Sequence, residues 1–403
     1  MKILQFLSWE YPPRIVGGLA RHVYWLSREL ARRGVEVLVV TLDYPGAPRF
    51  EYVDGVKIIR VRSYALPSPD FISWVHQFNM WMIKDASDEL HDISVIHAHD
   101  WLSALSAITL KHTLRKPLVA TIHSTEYGRR GGIFNEFQKH IHEVEWRLTY
   151  EAWRIIVCSE YMKSEVMNVF NLPSDKIDVI PNGINPIDLS KPIDNVRRRY
   201  AEDWEKIVLF VGRLVHAKGI HIFVEAGINL LERRRDVKFI VVGDGVLREE
   251  MMGRASERGV SHKFFFTGFI SDNDLNDLYR VCDVAVFPSI YEPFGIVALE
   301  AMSAAKPVIV SDVGGLSSLV IDGFNGVKVP PNDPYTLSRA IEKIISNPTL
   351  AEYLGKNGFH HVYQNYTWDK IADKTLKTYS QVLEAYRRSS WFKATNHSVD
   401  TTR

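Results

Sequence analysis

The chain has 403 residues, of which 46% are apolar and 11% aromatic, so it can bury large cores and is too long for one ordinary domain. Its 49 basic and 48 acidic residues give a net charge of +1. No bulk field therefore favours nucleic acid or an anionic membrane surface as a partner.

No run of residues reaches the ~18 consecutive apolar positions that a membrane helix needs, and the N-terminus lacks a leader pattern. We therefore expect a soluble, cytoplasmic protein without an integral membrane segment. Cys158 and Cys282 are the two cysteines, and they lie in segments that we assign to different domains. Two such thiols make neither a disulfide framework nor a metal site, so we expect both to be buried and reduced.

Strand-like and helix-like segments alternate along nearly the whole chain, as in parallel sheets covered by helices on both faces. A first series of predicted strands spans residues 2–9, 35–41, 56–61, 95–99, 118–124, 155–159 and 178–181. A second series spans residues 207–212, 239–243, 264–268, 284–288, 308–311 and 327–329. Helical patterns include 19–33, 135–153 and 368–388. We predict an α/β protein with two Rossmann-like, doubly wound parallel-sheet domains that face each other across a cleft.

The boundary between the domains is predicted where turn-forming residues precede a charged stretch. Asn-Gly-Ile-Asn-Pro at 182–186 is followed by the charged segment 195–205, which favours a hinge near 183–190. We assign residues 1–185 to the first domain and 186–367 to the second, and we expect 389–403 to be a flexible tail.

The loops that follow the strands are candidate sites, because parallel sheets bind ligands outside the carboxyl ends of their strands. The first loop of the chain holds Glu10 and opens a helix with Gly17 and Gly18, whose amides could meet a phosphate or sugar or form a plain turn. The fourth strand ends in His-Ala-His-Asp-Trp at 97–101, and the fifth ends in Thr-Ile-His at 121–123. A histidine in such a place is either a hydrogen-bonded structural group or a catalyst.

Cations follow the first strand of the second series. Arg213 and Lys218 could share a diphosphate, since Arg offers a planar fork of donors and Lys a point charge, or they could be solvated loop cations. Gly-Asp-Gly at 243–245 could close over a nucleotide, although a tight turn is favoured. Backbone groups near Ile270 could read a base.

The segment Tyr-Glu-Pro-Phe-Gly at 291–295 follows a buried strand and carries Glu292 in a turn. We predict that Pro293 starts a helix, that Gly295 lets a ligand approach the free amides of its first turn, and that Glu300 lies on its second turn. The alternative is an ordinary solvated helix face.

Together these loops resemble the retaining glycosyltransferases with two Rossmann-like domains, the GT-B type, and within them family 4, which is similar to glycogen and starch synthases. The resemblance covers nearly the whole chain and rests on Gly17-Gly18-Leu19, His97-Ala98-His99-Asp100-Trp101, Thr121-Ile122-His123, Pro181-Asn182-Gly183, Gly212-Arg213, Lys218-Gly219, Gly243-Asp244-Gly245 and Glu292-Pro293-Phe294-Gly295 with Glu300. Starch synthases carry Lys-x-Gly-Gly in the first loop, whereas the matching position here is Ile15. This departure argues against a direct match to bacterial glycogen synthase and its ADP-glucose donor.

The resemblance implies a metal-independent, retaining hexosyl transfer from a nucleoside-diphosphate sugar, UDP-glucose or ADP-glucose, to a carbohydrate acceptor, without a cofactor. It implies catalytic roles for His123, Glu292, Arg213, Lys218 and Asp100. It implies a donor site formed by Gly17, Gly18, Arg213, Lys218, Gly243, Ile270, Glu292, Phe294, Gly295, Ile296 and Glu300. It implies acceptor contacts from Glu10, His99, Asp100 and Trp101. The helix at 368–388 would cross back onto the first domain.

Several alternatives stay open at this stage. A glucan is the preferred acceptor, and a lipid-linked or small-molecule acceptor is the alternative. The segment 71–83, rich in aromatic residues, is either a buried helix face or an acceptor surface. Arg129-Arg130-Gly131-Gly132 is either a mobile acceptor loop, which is slightly favoured, or a solvated turn. Retention could proceed by front-face attack or through a carboxylate nucleophile. A sugar-nucleotide epimerase and a non-catalytic carbohydrate-binding relative are less favoured, and the oligomeric state is open.

Overall fold

The structure is a computed structural model that describes residues 3–15, 17–62, 67–90, 92–190, 192–193 and 195–392. The chain divides into two compact units. The first unit comprises residues 1–183 and 368–403, and the second comprises residues 184–367. No helix in the described ranges is long and apolar enough to cross a membrane.

The first unit contains an eight-stranded sheet in the order β3-β4-β2-β1-β5-β6-β7-β8. Its strands are β1 (Ile3–Leu7), β2 (Glu36–Leu42), β3 (Phe50–Val53), β4 (Val56–Val61), β5 (Ile93–His99), β6 (Leu118–Ile122), β7 (Arg154–Val157) and β8 (Ile177–Val179). All neighbours are parallel except β3, which pairs antiparallel with β4 at the edge. The predicted parallel sheet is confirmed.

The edge strand β3 was not predicted. It is joined to β4 by the two-residue turn Asp54-Gly55, in which both residues have positive φ, 51° and 79°. Asp-Gly is a strong sequence signal for such a hairpin. The strand itself is weakly marked, because Phe50 and Tyr52 are exposed and no continuous apolar run identifies it.

The helices of the first unit are α1 (Gly18–Arg32), α2 (Phe71–Ala86), α3 (Ala104–Leu114), α4 (Glu126–Arg130), α5 (Glu136–Glu151), α6 (Glu160–Phe170) and α14 (Trp368–Arg388). The C-terminal helix α14 belongs to this unit, where Ile371 and Tyr379 share a core cluster with Leu26 and Leu30 of α1. Each fully buried side chain of this size contributes about 1.5–3 kcal/mol relative to exposure. Helix α14 is therefore an integral layer of the first unit.

The last described residues are packed. Trp391 lies near Trp153, with ring centroids 6.0 Å apart, and Phe392 lies near Tyr386 at 5.6 Å. Part of the segment predicted as a tail thus makes aromatic contacts, since these large rings find apolar partners. Residues 393–403 lie outside the described ranges.

The second unit contains a six-stranded parallel sheet in the order β11-β10-β9-β12-β13-β14. Its strands are β9 (Lys206–Val211), β10 (Val237–Val242), β11 (Phe264–Gly268), β12 (Val284–Phe287), β13 (Val308–Ser311) and β14 (Val327–Val329). Its helices are α7 (Ile220–Leu231), α8 (Arg248–Glu257), α9 (Asp272–Val281), α10 (Ile296–Ser303), α11 (Gly314–Leu319), α12 (Pro334–Ile345) and α13 (Pro348–Asn365). The predicted strands of this series are confirmed, and the central strands β9, β10, β12 and β13 are short apolar runs buried on both faces, whereas the edge strands β11 and β14 are partly exposed.

Each sheet has one point at which the strand order reverses. In the first unit β1 lies between β2 and β5, and in the second β9 lies between β10 and β12. Connections leave such neighbouring strands in opposite directions, which opens a crevice outside their carboxyl ends. The candidate residues after β1, β5, β9 and β12 therefore lie where an α/β sheet binds its ligand.

The two cysteines, Cys158 and Cys282, are buried and form no disulfide, as predicted. Burial raises the pKa of the Cys282 thiol to about 12, so that thiol is protonated and unreactive at neutral pH.

Candidate active site

The loop after β1 is held by Glu10, which is buried. Its Oε2 accepts a hydrogen bond from the backbone N–H of Gly17 at 3.1 Å, and the Ser8 hydroxyl donates to the Glu10 carbonyl oxygen at 2.8 Å. Helix α1 begins at Gly18, so Glu10 supports the start of that helix. The structure thus places Glu10, Gly17 and Gly18 in one loop at the strand-order reversal of the first unit.

Asp100 follows β5 in an unusual backbone conformation, with φ 58° and ψ 179°. Non-glycine residues in this region carry about 1–3 kcal/mol of strain and cluster at functional sites. Its Oδ1 accepts the backbone N–H of His123 at 2.8 Å, which links the loops after β5 and β6. Burial raises the pKa of the Asp100 carboxyl to about 6, although that hydrogen bond opposes the shift.

His99 and His123 lie together at the ends of β5 and β6. His99 Nδ1 and His123 Nε2 are 3.4 Å apart, and the rings stack with centroids 5.7 Å apart. Burial lowers the pKa of His123 to about 4 and that of His99 well below its usual value. Both imidazoles are therefore neutral at neutral pH and can exchange hydrogen bonds without carrying charge.

His22 of α1 completes this histidine group. Its ring centroid lies 4.8 Å from that of His123 and 5.5 Å from that of His99. Its Nδ1 is 2.8 Å from the Asn182 Oδ1, and burial lowers its pKa to about 3. His22 was not predicted from the sequence, although it follows Gly18 by four residues and so lies on the same helix face one turn later.

The neighbouring His97 is a structural group. Its Nδ1 is 2.6 Å from the Tyr379 hydroxyl of α14, and its Nε2 is 2.7 Å from the Thr121 hydroxyl. Because both ring nitrogens have protein partners and the ring is fully buried, His97 ties α14 and β6 to β5.

Trp101 is placed among apolar side chains. It is 7% exposed and packs in a cluster with Val75, Leu102 and Ile141. Its ring therefore offers an acceptor little surface, and we do not retain it among the acceptor groups. The segment 71–83 lies in α2, which buries Val75, Phe78 and Met82 but leaves Phe71 and Met80 exposed.

The loop interpretation of Arg129-Arg130 was wrong, because both residues end the short helix α4. Arg129 forms an ion pair with Glu126 at 2.9 Å, and its guanidinium lies 3.3 Å from a carboxyl oxygen of Glu145 in α5. The backbone N–H of Glu126 donates to both carboxyl oxygens of Glu145, at 3.0 Å each. Burial raises the pKa of Glu145 to about 8. This network fixes the segment that follows His123.

The second unit brings Lys218 and Glu292 together. Lys218 Nζ donates to Glu292 Oε2 at 2.6 Å, and the Ser289 hydroxyl lies 3.4 Å from the same oxygen. The N–H groups of Ile290 and Tyr291 both donate to the Ala217 carbonyl oxygen, at 2.9 and 3.2 Å. The loops after β9 and β12 are therefore joined by both backbone and side-chain bonds.

Two glycines are required in this arrangement. Gly219 has φ +68°, and a Cβ there would lie 1.8 Å from the Pro288 carbonyl oxygen. Gly295 has φ +108°, and a Cβ there would lie 2.5 Å from a methyl carbon of Leu316. A larger residue at 219 would have to move the backbone of the opposing loop, whereas one at 295 would have to displace the Leu316 side chain of α11 and adopt a left-handed backbone conformation.

Helix α10 begins at Ile296, so the prediction that Pro293 starts it was wrong. The chain turns instead at 292–295, where the Glu292 carbonyl oxygen accepts the Gly315 N–H at 2.8 Å and Gly295 is the N-cap in a left-handed conformation. Phe294 is buried, and Ile296 is the first helical residue. Glu300 still lies on the second turn.

The remaining predicted donor residues lie at the same edge of the second unit. Gly243 after β10 donates its N–H to the Gly268 carbonyl oxygen at 3.0 Å, two residues before Ile270. Arg213 is exposed after β9. Glu300 Oε2 accepts a hydrogen bond from the Tyr279 hydroxyl at 3.0 Å. Tyr279 was not predicted from the sequence, because it lies near the end of α9 without a local motif.

Comparison with known proteins identifies the family to which the chain belongs. Residues 16–187 match the family described as Glycosyltransferase Family 4, and residues 193–361 match Glycosyl transferases group 1. An uncharacterised glycosyltransferase of Methanocaldococcus jannaschii is 41% identical over 399 residues, covering 96% of this chain and 100% of that protein. A glycogen synthase of Mycobacterium tuberculosis is 32% identical over 400 residues, covering 94% of both.

Among solved structures, a sucrose-phosphate synthase from Thermosynechococcus elongatus is similar, with a TM-score of 0.82, 27% identity and coverage of 96% of this chain and 100% of that one. Two Rossmann-like units with these loops define a glycosyltransferase of the GT-B type. The chain belongs to glycosyltransferase family 4, and the predicted similarity to glycogen and starch synthases is confirmed.

Proposed function

We propose that the protein is a retaining hexosyltransferase that moves a glucosyl group from UDP-glucose or ADP-glucose to a carbohydrate acceptor, without a metal ion. The observation that carries this proposal is the Lys218–Glu292 pair, at 2.6 Å, at the strand-order reversal of the second sheet, where Arg213 belongs to the same loop as Lys218. A cation pair and a buried carboxylate at such a crevice suit a sugar diphosphate, which presents phosphates and hydroxyls together.

In the donor site, Arg213 and Lys218 stabilise the diphosphate as it departs with increasing negative charge. Glu292, held by Lys218 and Ser289, accepts hydrogen bonds from hydroxyls of the transferred sugar. Glu300 accepts from the ribose hydroxyls, and the Tyr279 hydroxyl fixes its carboxylate. The backbone amides near Gly295 and the glycine of the β10 loop, Gly243, approach the nucleotide closely.

In the first unit, neutral His123 and the Asp100 carboxyl are proposed to contact the transferred sugar and the acceptor. Burial raises the pKa of Asp100 to about 6, so at neutral pH its carboxyl is mostly ionised and can accept a hydrogen bond from an acceptor hydroxyl. Retention by front-face attack requires no enzymic nucleophile, because a leaving phosphate oxygen takes the acceptor proton. The neutral histidine group supports this route, since it adds no positive charge beside the transferred sugar, which becomes positively charged as its bond to the diphosphate breaks.

A glucan is the proposed acceptor, supported by the glycogen synthase relative. A lipid-linked acceptor is the second candidate. It is supported by exposed aromatic side chains on the first unit, where Phe71 and Phe137 have ring centroids 6.2 Å apart and are about half exposed.

The proposal is tested by calorimetric binding and nucleoside-diphosphate release with UDP-glucose, ADP-glucose and GDP-mannose, each with and without a glucan primer in the presence of a chelator. Primer-dependent release from one donor would identify that donor and support metal-independent transfer to glucan. Binding without release would retain the donor site and reject the glucan. No binding of any donor would overturn the proposal.

A further inference from the structure

The histidine group of the first unit, His22, His99 and His123, brings three ligands of one chemical kind together. One ring nitrogen from each residue lies within 4.8 Å of the nitrogens of the other two. The three come from separate elements: α1, the end of β5 and the loop after β6. Neutral imidazole nitrogens are common ligands of zinc, copper and nickel, whereas magnesium and calcium take oxygen ligands.

Two of these histidines have ring nitrogens that lack a partner within the described part of the chain. Nε2 of His22 and Nε2 of His99 are both buried without a hydrogen bond, and the side chains are 3% and 0% exposed. Leaving such buried polar atoms unpaired costs about 1–3 kcal/mol each. A bound ion would satisfy Nε2 of His22, whose Nδ1 already faces the Asn182 Oδ1.

The Asn182 amide prepares His22 for this role. Its Oδ1 accepts the Nδ1–H of His22 at 2.8 Å, which leaves the lone pair on Nε2. Metal-binding histidines commonly donate their other N–H to an oxygen in this way, which fixes the tautomer and the ring orientation. Asn182 lies 160 residues from His22 in the sequence, so the folded first unit creates this contact.

We propose that His22, His99 and His123 form an inhibitory binding site for a divalent transition-metal ion of the zinc class. Tetrahedral coordination with Zn–N bonds of about 2.0–2.1 Å places the ligand nitrogens of one ion about 3.4 Å apart. The nitrogens here lie within 4.8 Å of one another, so the longest separation must shorten by up to about 1.4 Å. Rotation of the imidazole rings supplies this shortening, and a water or a substrate oxygen takes the fourth position.

Inhibition follows because the ion removes the lone pair of His123, the residue that the proposed function assigns to the transferred sugar. The inhibitory effect therefore rests on the proposed function, whereas metal binding does not. The predicted transfer itself needs no metal, so a chelator leaves the enzyme active and zinc reduces its rate.

Metal binding is measured on the full, chelator-treated chain by equilibrium dialysis against Zn²⁺ and by absorption spectroscopy with Co²⁺, with Mg²⁺ as a comparison ion. We expect one Zn²⁺ per chain, a tetrahedral Co²⁺ spectrum that Zn²⁺ abolishes, and no competition by Mg²⁺. His22→Gln and His99→Gln should each abolish the Co²⁺ spectrum. Asn182→Ala, which removes the partner of a metal ligand, should weaken binding about 10–100-fold.

His262→Gln is the matched control, because His262 is exposed in the second unit and should bind Co²⁺ like the parent chain. Circular dichroism of the metal-free variants checks their fold. If His22→Gln does not fold, His123→Gln replaces it, since that ring is only partly buried. Absence of a stoichiometric ion, or an unchanged Co²⁺ spectrum in folded variants, would overturn the site.

The inhibitory role is tested separately by nucleoside-diphosphate release with and without Zn²⁺. Full transfer activity in zinc-saturated protein would reject inhibition. Loss of activity that a chelator reverses, with metal binding at the same concentrations, supports it. If no donor gives transfer, the proposed function fails, while dialysis and spectroscopy still decide the metal site.

Discussion

The two units carry candidate residues of opposite electrostatic character. In the first unit His22, His99 and His123 are desolvated and neutral, and the Asp100 pKa is raised toward neutrality. In the second unit the central contact is an ion pair, Lys218 with Glu292, in loops that pack through glycines. Burial thus suppresses charge in one unit, whereas a direct partner supports it in the other.

The difference extends to how each group is assembled. Lys218 and Glu292 each follow a strand in a loop with a recognisable local pattern. The histidines depend on partners far along the chain, such as Asn182 for His22 and Tyr379 for His97. We therefore expect the Lys218–Glu292 pair of the second unit to govern turnover through local contacts. The positions of the histidines in the first unit should depend on the whole first sheet and on α14.

The largest effect on the transfer rate is expected from substitutions in the second unit. Lys218→Ala and Arg213→Ala should each lower the transfer rate by about 10²-fold or more, the usual loss when one charge-stabilising donor is removed. The measurement is the initial rate of nucleoside-diphosphate release with donor and acceptor saturating.

Arg213→Ala provides the cleaner test, because Lys218→Ala also leaves the buried Glu292 carboxylate without its 2.6 Å partner. Glu292→Gln separates loss of the Lys218 cation from exposure of an unpaired Glu292 carboxylate, because it keeps the size of the side chain at 292 while removing its charge. Lys343→Ala, at an exposed position of α12, is the control and should leave the rate unchanged. Parent-like rates for both Arg213→Ala and Lys218→Ala would reject the diphosphate assignment.

The second prediction concerns charge suppression in the first unit. Burial raises the pKa of Glu145 to about 8, so the folded protein holds a proton that the unfolded chain, with a carboxyl pKa near 4.5, has released. Stability from this group is present at low pH and declines as pH rises toward the folded pKa. Between about pH 6 and pH 8 the parent should lose about 2 kcal/mol more unfolding free energy than Glu145→Gln.

Urea unfolding at the two pH values measures this difference. Glu205→Gln in the second unit is the matched control. Burial raises the pKa of Glu205, but hydrogen bonds from Lys263 and the Glu202 backbone outweigh it and hold the pKa below its usual value. Its stability contribution is lost only at acid pH, so this variant should follow the parent between pH 6 and 8. Equal pH dependence in the parent and Glu145→Gln would mean that the buried Glu145 is ionised.

The third prediction tests Glu300. Tyr279→Phe removes the 3.0 Å hydrogen bond to its carboxylate, and one such bond contributes about 0.5–1.5 kcal/mol. The dissociation constant of the nucleotide should rise about 3–10-fold, measured by calorimetry. Glu300→Ala should weaken binding further, and more than Glu292→Ala, which should mainly lower turnover. The reverse order would exchange the roles of the two carboxylates.

Prediction from the sequence succeeded where short apolar runs alternate with amphipathic segments, because such strands are buried on both faces and the signal is continuous. It missed β3, whose side chains are partly solvated, and it set the start of α10 at Pro293. The helix begins at Ile296 instead, because contacts with α11 hold 292–295 in a turn. The contact joins Glu292 to Gly315, which are too far apart in the sequence for a local pattern to show it.

The same reasoning explains the candidate residues. Motif spacing identified Lys218, Glu292 and Glu300, but their mutual contacts depend on the packed loops of the second unit. His22 and Tyr279 were missed because each lies within a helix whose amphipathic pattern accounts for it without a function. Their hydrogen-bond partners, Asn182 for His22 and Glu300 for Tyr279, lie on other elements and are seen only in the folded structure.

The smallest effect on stability is expected at Gly17. Its φ of −161° suits any residue, and an added Cβ would meet nothing within 4 Å, so Gly17→Ala should change the unfolding free energy by less than about 0.5 kcal/mol. Gly219→Ala is the contrast, because its Cβ would lie 1.8 Å from the Pro288 carbonyl oxygen and should destabilise the second unit strongly. If the donor approaches the Gly17 amide, the added methyl group raises the KM for the donor while stability is retained. An unchanged KM would mean that the loop after β1 is a plain turn and that the donor is recognised by the second unit alone.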